Sequence, residues 1–264
     1  MAERPRTAVI VQARRGSTRL PDKVLMDLAG RTALARCLVR CRRIDAADVV
    51  VCAVPKGVEN DPVAAEAARA GAVVFRGSET DVLARYAAAA RSVGAARVMR
   101  ITSDCPFIDP AICDRVIAYA EQTGADYTCN NMPPSWPHGL DCDLFSSDLL
   151  YSAEKNATSD YEREHVTPWI RTRDSVRKAS LVGPGGLAAD QRWTLDYKED
   201  LLFARSVFDT LGPAADTAHA ADIMALVLRR PDIADMNAGR VDAARIGAGE
   251  QADIVSAPQR LEAA

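Results

Sequence analysis

Gln12-Ala13-Arg14-Arg15-Gly16-Ser17-Thr18-Arg19-Leu20-Pro21-Asp22-Lys23 follows directly on the apolar run Ala8-Val9-Ile10-Val11. The β-branched run reads as a buried strand, and the stretch after it as a loop leaving that strand. The loop carries four cations, Arg14, Arg15, Arg19 and Lys23, interleaved with the small residues Gly16, Ser17 and Thr18. Small residues let backbone N–H groups approach an anion closely, and cations add charge-assisted hydrogen bonds. The combination suits a polyphosphate at the carboxyl end of a strand, where open α/β sheets place their ligands. Charge density alone fits a basic surface loop equally well. The glycine spacings of a P-loop and of a dinucleotide-binding turn are both absent.

Working outward, apolar runs at 48–53, 72–75 and 97–101 read as three further strands. Helical patterns separate them at 32–43, 61–70, 81–93 and 110–123, the second opening with Asp61 as N-cap and Pro62 at the first helical position. Such alternation predicts an α/β fold: a three-layer, mostly parallel Rossmann-like sheet with right-handed crossovers and helices on both faces. Residues 125–128 and 192–196 read as additional strands, and Lys198–Leu211 as a helix. Between 130 and 190 the rhythm changes: prolines cluster at 133, 134 and 137, with helices expected only at 146–156 and 162–173. This stretch is expected to be an insertion entangled with the core. The expected division is 1–212 for the main domain and 213–264 for an amphipathic helical extension broken at Pro231.

Composition bounds the function. The chain has 264 residues, 48% hydrophobic and 26% charged, with a formal net charge of −3, so generic nucleic-acid binding is not expected. No apolar run approaches the length of a membrane span, and the N-terminus does not read as a signal peptide. The seven cysteines, 37, 41, 52, 105, 113, 129 and 142, are scattered and contain no Cys-x-x-Cys. They read as reduced core thiols of a cytoplasmic protein and not as a disulfide framework or zinc site.

Two acids stand out. Asp104 and Asp196 each follow an apolar run, so both can sit at the carboxyl edge of one sheet, facing the basic loop. Two carboxylates meeting a polyphosphate are what Mg²⁺ needs, since it prefers few protein oxygens plus substrate phosphates. Taken singly, each is equally readable as a helix cap or a solvated strand end.

Four motifs in order turn this pattern into a resemblance. Ala13-Arg14…Ser17-Thr18-Arg19-Leu20-Pro21-x-Lys23, Arg76-Gly77-Ser78-Glu79-x-Asp81-Val82-Leu83-x-Arg85-Tyr86, Arg100-Ile101-Thr102-Ser103-Asp104-Cys105-Pro106 and Arg192-Trp193-Thr194-x-Asp196 span the chain to about residue 205. Together they resemble the cytidylyltransferase superfamily that makes CMP-activated acidic sugars, and most closely its spore-coat-polysaccharide SpsF-like group. Departures are Asp22 and Ser103 where glycine is usual, Tyr197-Lys198 for Thr-Pro, and Thr102 where classical members carry glutamine.

The resemblance implies a nucleotidyltransferase of the GT-A-like nucleotidyltransferase fold that joins CMP from CTP to a hydroxylated acidic acceptor and releases pyrophosphate. It implies Mg²⁺ on Asp104 and Asp196, with Arg14 and Lys23 on the triphosphate. Gln12, Ala13, Gly16, Ser17, Thr102 and Ser103 are expected to line the nucleotide, and Arg76 to read the base, unless Arg76 instead caps Asp81. Pro137-His138-Gly139-Leu140-Asp141-Cys142-Asp143 and Arg163-Glu164-His165-Val166-Thr167-Pro168 resemble the family's acceptor segments. Asn130, Asp141, Arg163 and His165 are therefore expected to face the acceptor, with Asp141 orienting or deprotonating its hydroxyl. A buried structural role for His165 stays open. Arg15 and Arg19 read as solvated charges or salt-bridge partners, and Cys105 as packing. The proline-rich insertion resembles the dimer arm of related synthetases, which implies a homodimer. Two other readings remain: a glycosyltransferase using Asp141-Cys142-Asp143 as its metal pair, and a non-catalytic nucleotide-binding module.

Overall fold

A computed structural model describes residues 5–240. Its centre is a seven-stranded sheet in the order β3-β2-β1-β4-β6-β5-β7. The strands are β1 (Thr7–Gln12), β2 (Val49–Pro55), β3 (Val73–Gly77), β4 (Arg97–Thr102), β5 (Tyr127–Cys129), β6 (Asp143–Ser146) and β7 (Lys178–Ser180). The helices are α1 (Ala33–Cys41), α2 (Asp61–Arg69), α3 (Val82–Ser92), α4 (Pro110–Thr123), α5 (Ser147–Asn156), α6 (Asp160–His165), α7 (Pro168–Arg171), α8 (Lys198–Leu211), α9 (Ala220–Arg229) and α10 (Pro231–Ala234). The β1–β2, β2–β3, β1–β4 and β5–β7 pairs are parallel, whereas β6 runs antiparallel to both β4 and β5. The expected three-layer α/β fold is the observed one.

Both faces of the sheet are covered at its centre, which is why β1 and β2 read as continuous apolar runs and not as alternations. Along β1, Val9 and Val11 pack with Leu34, Leu38, Phe107 and Phe208 on one face. Ala8 and Ile10 pack with Leu83, Tyr86 and Phe145 on the other. Local signals start the helices where the pattern predicts. Thr32 accepts the Ala35 N–H at the head of α1, Asp81 the Ala84 N–H of α3, and Asp109 the Ala111 N–H of α4. α2 differs by one residue: Asn60 holds the N-cap position and Asp61 lies in the first turn, where it pairs with Arg76.

Three expectations about the second half need correction. First, 130–190 contributes β6 and β7 to the sheet, strands too short to show a period in the sequence. Second, 192–196 is not a sheet strand but an extended segment with one isolated parallel bridge, His138↔Arg192. Its apolar residues, Trp193 and Leu195, are fully buried, so the run looks like a strand while its backbone is held by the neighbouring loop. Third, the single helix expected at 162–173 is two short ones, broken where Val166 takes φ 70° just before Thr167-Pro168. The described part of the C-terminal extension is helical, with α9 ending before Pro231. The remainder of that extension lies outside the described residues.

The 192–196 segment depends on Gly139. This glycine has φ +111°, and a Cβ there would stand 2.6 Å from the Trp193 carbonyl carbon and 2.7 Å from the Thr194 nitrogen. Only a residue without a side chain lets the two backbones approach so closely. Gly139→Ala is therefore expected to cost about 2–3 kcal/mol, from positive-φ strain plus displacement of the facing backbone. A urea titration of the two proteins measures it, and a loss below about 0.5 kcal/mol would show that the segment yields without cost.

Candidate active site

The strand order places β1 beside β4 while the connection from β1 leads the other way, to β2. That is a topological switch point, where a crevice opens at the carboxyl ends of the strands. Gln12 and Thr102 are paired in register there. The basic loop leaving β1 and the Thr102-Ser103-Asp104 turn leaving β4 therefore meet over one opening. Tyr86 braces the junction from below, its buried hydroxyl reaching the carbonyl oxygens of Ile10 (3.1 Å) and Ile101 (3.2 Å).

A cavity of about 290 Å³ occupies the crevice. Its walls include Gln12, Ala13, Arg14, Gly16, Ser17, Lys23, Thr102, Ser103, Asp104 and Asp196, which the sequence also singled out. Thr18, Arg19, Val24, Val82, Arg85 and Glu164 complete it. Four cations and three carboxylates thus face one space.

At its floor, Lys23 Nζ lies 2.7 Å from Asp104 Oδ2 and 2.8 Å from Asp196 Oδ1. One ammonium bridges acids 92 positions apart in sequence, so the two carboxylates converge as expected. Burial alone would lift the Asp104 carboxyl, but the adjacent Lys23 ammonium and the Thr102 hydroxyl outweigh it and hold the group well below the usual carboxylate range. Asp196 is likewise held down, burial being overcome by Lys23 and Arg19 against some repulsion from Asp104. Burial works against the Lys23 charge too, and the two acids more than restore it. All three groups are therefore charged at neutral pH.

The carboxylates are clamped from behind. The Leu195 N–H and the Thr194 hydroxyl both donate to the Asp104 carbonyl, at 2.9 and 3.1 Å, tying the two acid-bearing segments together. Asp200, fully buried, accepts the N–H groups of Asp196 and Tyr197 and a two-pronged bond from Arg192. Arg192 also reaches Asp196 Oδ2 at 3.4 Å. Asn237 closes the network, donating to the Arg192 carbonyl and to Asp200. Nothing near Asn237 in sequence marks it for this role. Phe107, three residues beyond Asp104, anchors the turn by stacking on Phe208 at 4.5 Å and meeting Phe203 and Trp193 edge-on. Burying such a ring contributes roughly 1.5–3 kcal/mol.

The loop also explains the unusual Asp22. Its φ is 56°, the left-handed region that glycine fills at least cost and aspartate tolerates better than most. Its carboxylate is turned onto Arg15, with contacts of 2.6 and 2.8 Å, and so is neutralised away from the cavity. Arg15 is the salt-bridge partner the sequence suggested. Arg19 is more than that: it bonds Asp196 at 2.8 Å, stacks over the Tyr197 ring and lines the cavity. In sequence it was one of four cations in the loop, with nothing to set it apart.

The remaining predicted residues lie elsewhere. Arg76 pairs with Asp61 and donates to the carbonyls of Gly57 and Pro55, outside the cavity, and it does not cap Asp81. Arg163 pairs with Asp81 and the carbonyls of Glu154 and Ala157, which docks α6 so that its neighbour Glu164 faces Arg14 at 3.5 Å. His165 packs against Tyr161, and burial holds its imidazole below the usual value. Asn130 is fully buried and bonds the Leu140 carbonyl and Cys142 N–H, shaping the 138–143 loop. Asp141 accepts the Gly139 N–H at 3.3 Å, and His138 lies 4.0 Å from it. Asp143 is sealed between Arg100 and Arg171. Cys105 is buried packing, as expected, and all seven cysteines are buried free thiols.

Among the described residues no group of three or more His, Cys, Asp or Glu side chains is placed to hold a metal ion, and no helix is long and apolar enough to cross a membrane. Two ionised carboxylates facing a phosphate-sized space fit Mg²⁺, whose other ligands would come from substrate and water.

Known proteins resemble this chain in sequence and in fold. The SpsF spore coat polysaccharide biosynthesis protein of Bacillus subtilis (strain 168) is 33% identical over 233 residues, 85% of this chain and 95% of its own. A cytidylyltransferase structure from Leptospira borgpetersenii serovar Hardjo-bovis superposes with a TM-score of 0.82 at 26% identity, covering 88% of this chain and 97% of its own. A CMP:2-keto-3-deoxy-manno-octonic acid synthetase solved with CTP shares the fold, with a TM-score of 0.57 at 14% identity over 78% of this chain and 99% of its own. The family model described as cytidylyltransferase matches residues 8–202, from the first residues of β1 into α8 and so across both acid-bearing segments. With that span covered, the chain belongs to the cytidylyltransferase family.

Proposed function

We propose that the protein transfers CMP from CTP to a hydroxyl of a small acidic sugar or sugar-like acid, releasing pyrophosphate. The observation that carries this reading is the Lys23 ammonium bridging Asp104 and Asp196 at the foot of a cation-lined crevice. In that geometry Asp104 and Asp196 would hold Mg²⁺, which when bound neutralises phosphate charge and lowers the acceptor hydroxyl's pKa. Arg14 and Arg19, both in the cavity wall, hold the β- and γ-phosphates and stabilise the charge that builds on departing pyrophosphate. Lys23, in the same cavity wall, adds a further positive charge facing the phosphates. Asp141 lies outside the cavity wall, on the loop bridged to the 192–196 segment, and its proposed role is to orient an acceptor bound beside the nucleotide. Most of the rate then comes from alignment and charge neutralisation, not from a covalent intermediate.

The acceptor class is supported by the SpsF relative, named for polysaccharide biosynthesis, and by the CTP-bound octonic acid synthetase that shares the fold. A glycosyltransferase pair at Asp141 and Asp143 is disfavoured, because Asp143 is 1% exposed and committed to two arginines. Incubation with CTP, UTP, ATP or GTP, Mg²⁺ and a panel of sugar acids tests the reading. The expected result is pyrophosphate and a CMP-conjugate from CTP. A nucleoside diphosphate product, or no turnover with any pair while CTP binds, overturns it.

A further inference from the structure

Gln12 and Arg85 both line the cavity, and each carries one buried polar atom without a hydrogen-bond partner: Gln12 Oε1, an acceptor, and Arg85 Nε, a donor. Buried polar groups in folded proteins are nearly always satisfied. Five other buried polar atoms among the described residues also lack a partner, but none belongs to a residue of this wall, and only here do a lone acceptor and a lone donor come from residues lining one cavity. Neither is a loose surface group. Gln12 ends β1 and is held in register by both neighbouring strands. Arg85 is 2% exposed on α3, and its Nη1 is committed to the carbonyls of Ser78 and Glu79. The edge of its guanidinium that carries Nε is thereby fixed and left without an acceptor. Among the described residues no carboxylate forms an ion pair with Arg85, unusual for a charge so deeply placed. Val82 and Ala13, both buried in the same wall, add apolar surface of the kind a flat ring packs against.

We propose that Gln12 and Arg85 read the nucleobase, the Gln12 carbonyl accepting from an exocyclic amino group and the Arg85 edge donating to ring acceptors beside it. This rests on the nucleotidyltransferase reading above. Cytosine presents one amino donor followed by two acceptors, N3 and O2, which matches one acceptor and a two-donor guanidinium edge. Uracil places an oxygen against the Gln12 carbonyl and an N–H against Arg85, so both contacts turn repulsive. Adenine has the amino donor but one acceptor where the guanidinium edge offers two donors. The assignment replaces Arg76, whose donors go to Asp61, Gly57 and Pro55.

Calorimetry with Mg²⁺ and CTP, UTP, ATP or inorganic tripolyphosphate tests the proposal on wild type, Gln12→Met and Arg85→Met. Gln12→Met is the cleaner variant, because Gln12 Oε1 accepts nothing within the chain and its loss should leave the melting temperature unchanged. The expected result is a CTP-over-UTP preference that shrinks about tenfold in Gln12→Met, with tripolyphosphate affinity within about twofold of wild type. Arg85→Met should weaken CTP about 10–100-fold and again spare tripolyphosphate; Arg85→Lys keeps the charge should the methionine variant fold poorly. An unchanged CTP-over-UTP preference in Gln12→Met overturns the proposal. So does equal loss of CTP and tripolyphosphate in the Arg85 variants, which would make Arg85 a phosphate ligand. Wild type that binds tripolyphosphate without distinguishing bases also overturns it but leaves the phosphate site standing. Wild type that binds none of the four ligands removes the nucleotide site itself.

Discussion

Asp104→Asn should lower CMP transfer by about 10²–10³-fold in kcat while leaving the fold intact, the scale typical of removing one preorganised electrostatic contact at a reacting group. The substitution keeps size and hydrogen-bonding shape but removes the charge that Lys23 and the Thr102 hydroxyl hold in its ionised form against the effect of burial. Stability should be nearly unchanged, for two reasons. The backbone carbonyl of Asp104, not its side chain, accepts the Leu195 N–H and the Thr194 hydroxyl. Lys23 also retains Asp196, which keeps Arg19 and Arg192 as further partners. Steady-state pyrophosphate release at saturating CTP and Mg²⁺, beside a thermal melt, separates the two effects. Turnover within a few-fold of wild type would remove Asp104 from the chemistry.

The largest expected effect on stability belongs to a residue away from the cavity. Asp143 opens β6 and is 1% exposed. It accepts from Arg100 on β4 at 3.1 Å, from Arg171 on α7 at 2.8 Å and from the Tyr127 hydroxyl on β5. Burial alone would raise its pKa, but the Arg171 and Arg100 guanidinium groups outweigh that and lower it. Asp143→Ala leaves two half-buried arginines facing each other without their shared acid, so a loss of about 3 kcal/mol is expected. The pH dependence has a definite sign. A carboxyl whose folded-state pKa is depressed contributes stability that is present above its unfolded value, here 3.8, and is lost as pH falls towards the folded one. Wild type should therefore lose stability below about pH 4 by a component that Asp143→Ala lacks. Urea titrations at neutral and acidic pH measure both, and a neutral-pH loss under about 1 kcal/mol would mean the arginines find solvent when the acid is gone.

Much of this protein could be read before any coordinates. The runs that became β1 and β2 are apolar and β-branched because both faces of the sheet are buried there. The helices between them begin at Thr32, Asp81 and Asp109, whose side chains accept the first free N–H groups. These are local effects, and local effects leave local patterns. The basic loop and the two acids were legible for the same reason: charge after an apolar run is visible in one dimension.

The rest depended on which segments lie side by side. The strands β6 and β7 are four and three residues long and owe their place to neighbours, so no period announces them. The apolar run at 192–196 signals burial, which a strand and a clamped loop share. Arg76 and Arg85 sit on one motif, as do Arg163 and Glu164, and composition cannot tell which member of each pair turns inward. The tertiary structure decides it through partners: Asp61 holds Arg76 away and Asp81 holds Arg163, while Arg85 and Glu164 face the cavity. The sequence by itself determined the layered sheet and the two acids beside a cationic loop, because propensity, burial and charge are properties of neighbouring residues. Only the fold decided that one ammonium joins those acids and that Gln12 and Arg85 line one cavity with a polar atom each left unsatisfied, because a hydrogen bond is made or left unmade by distance in space.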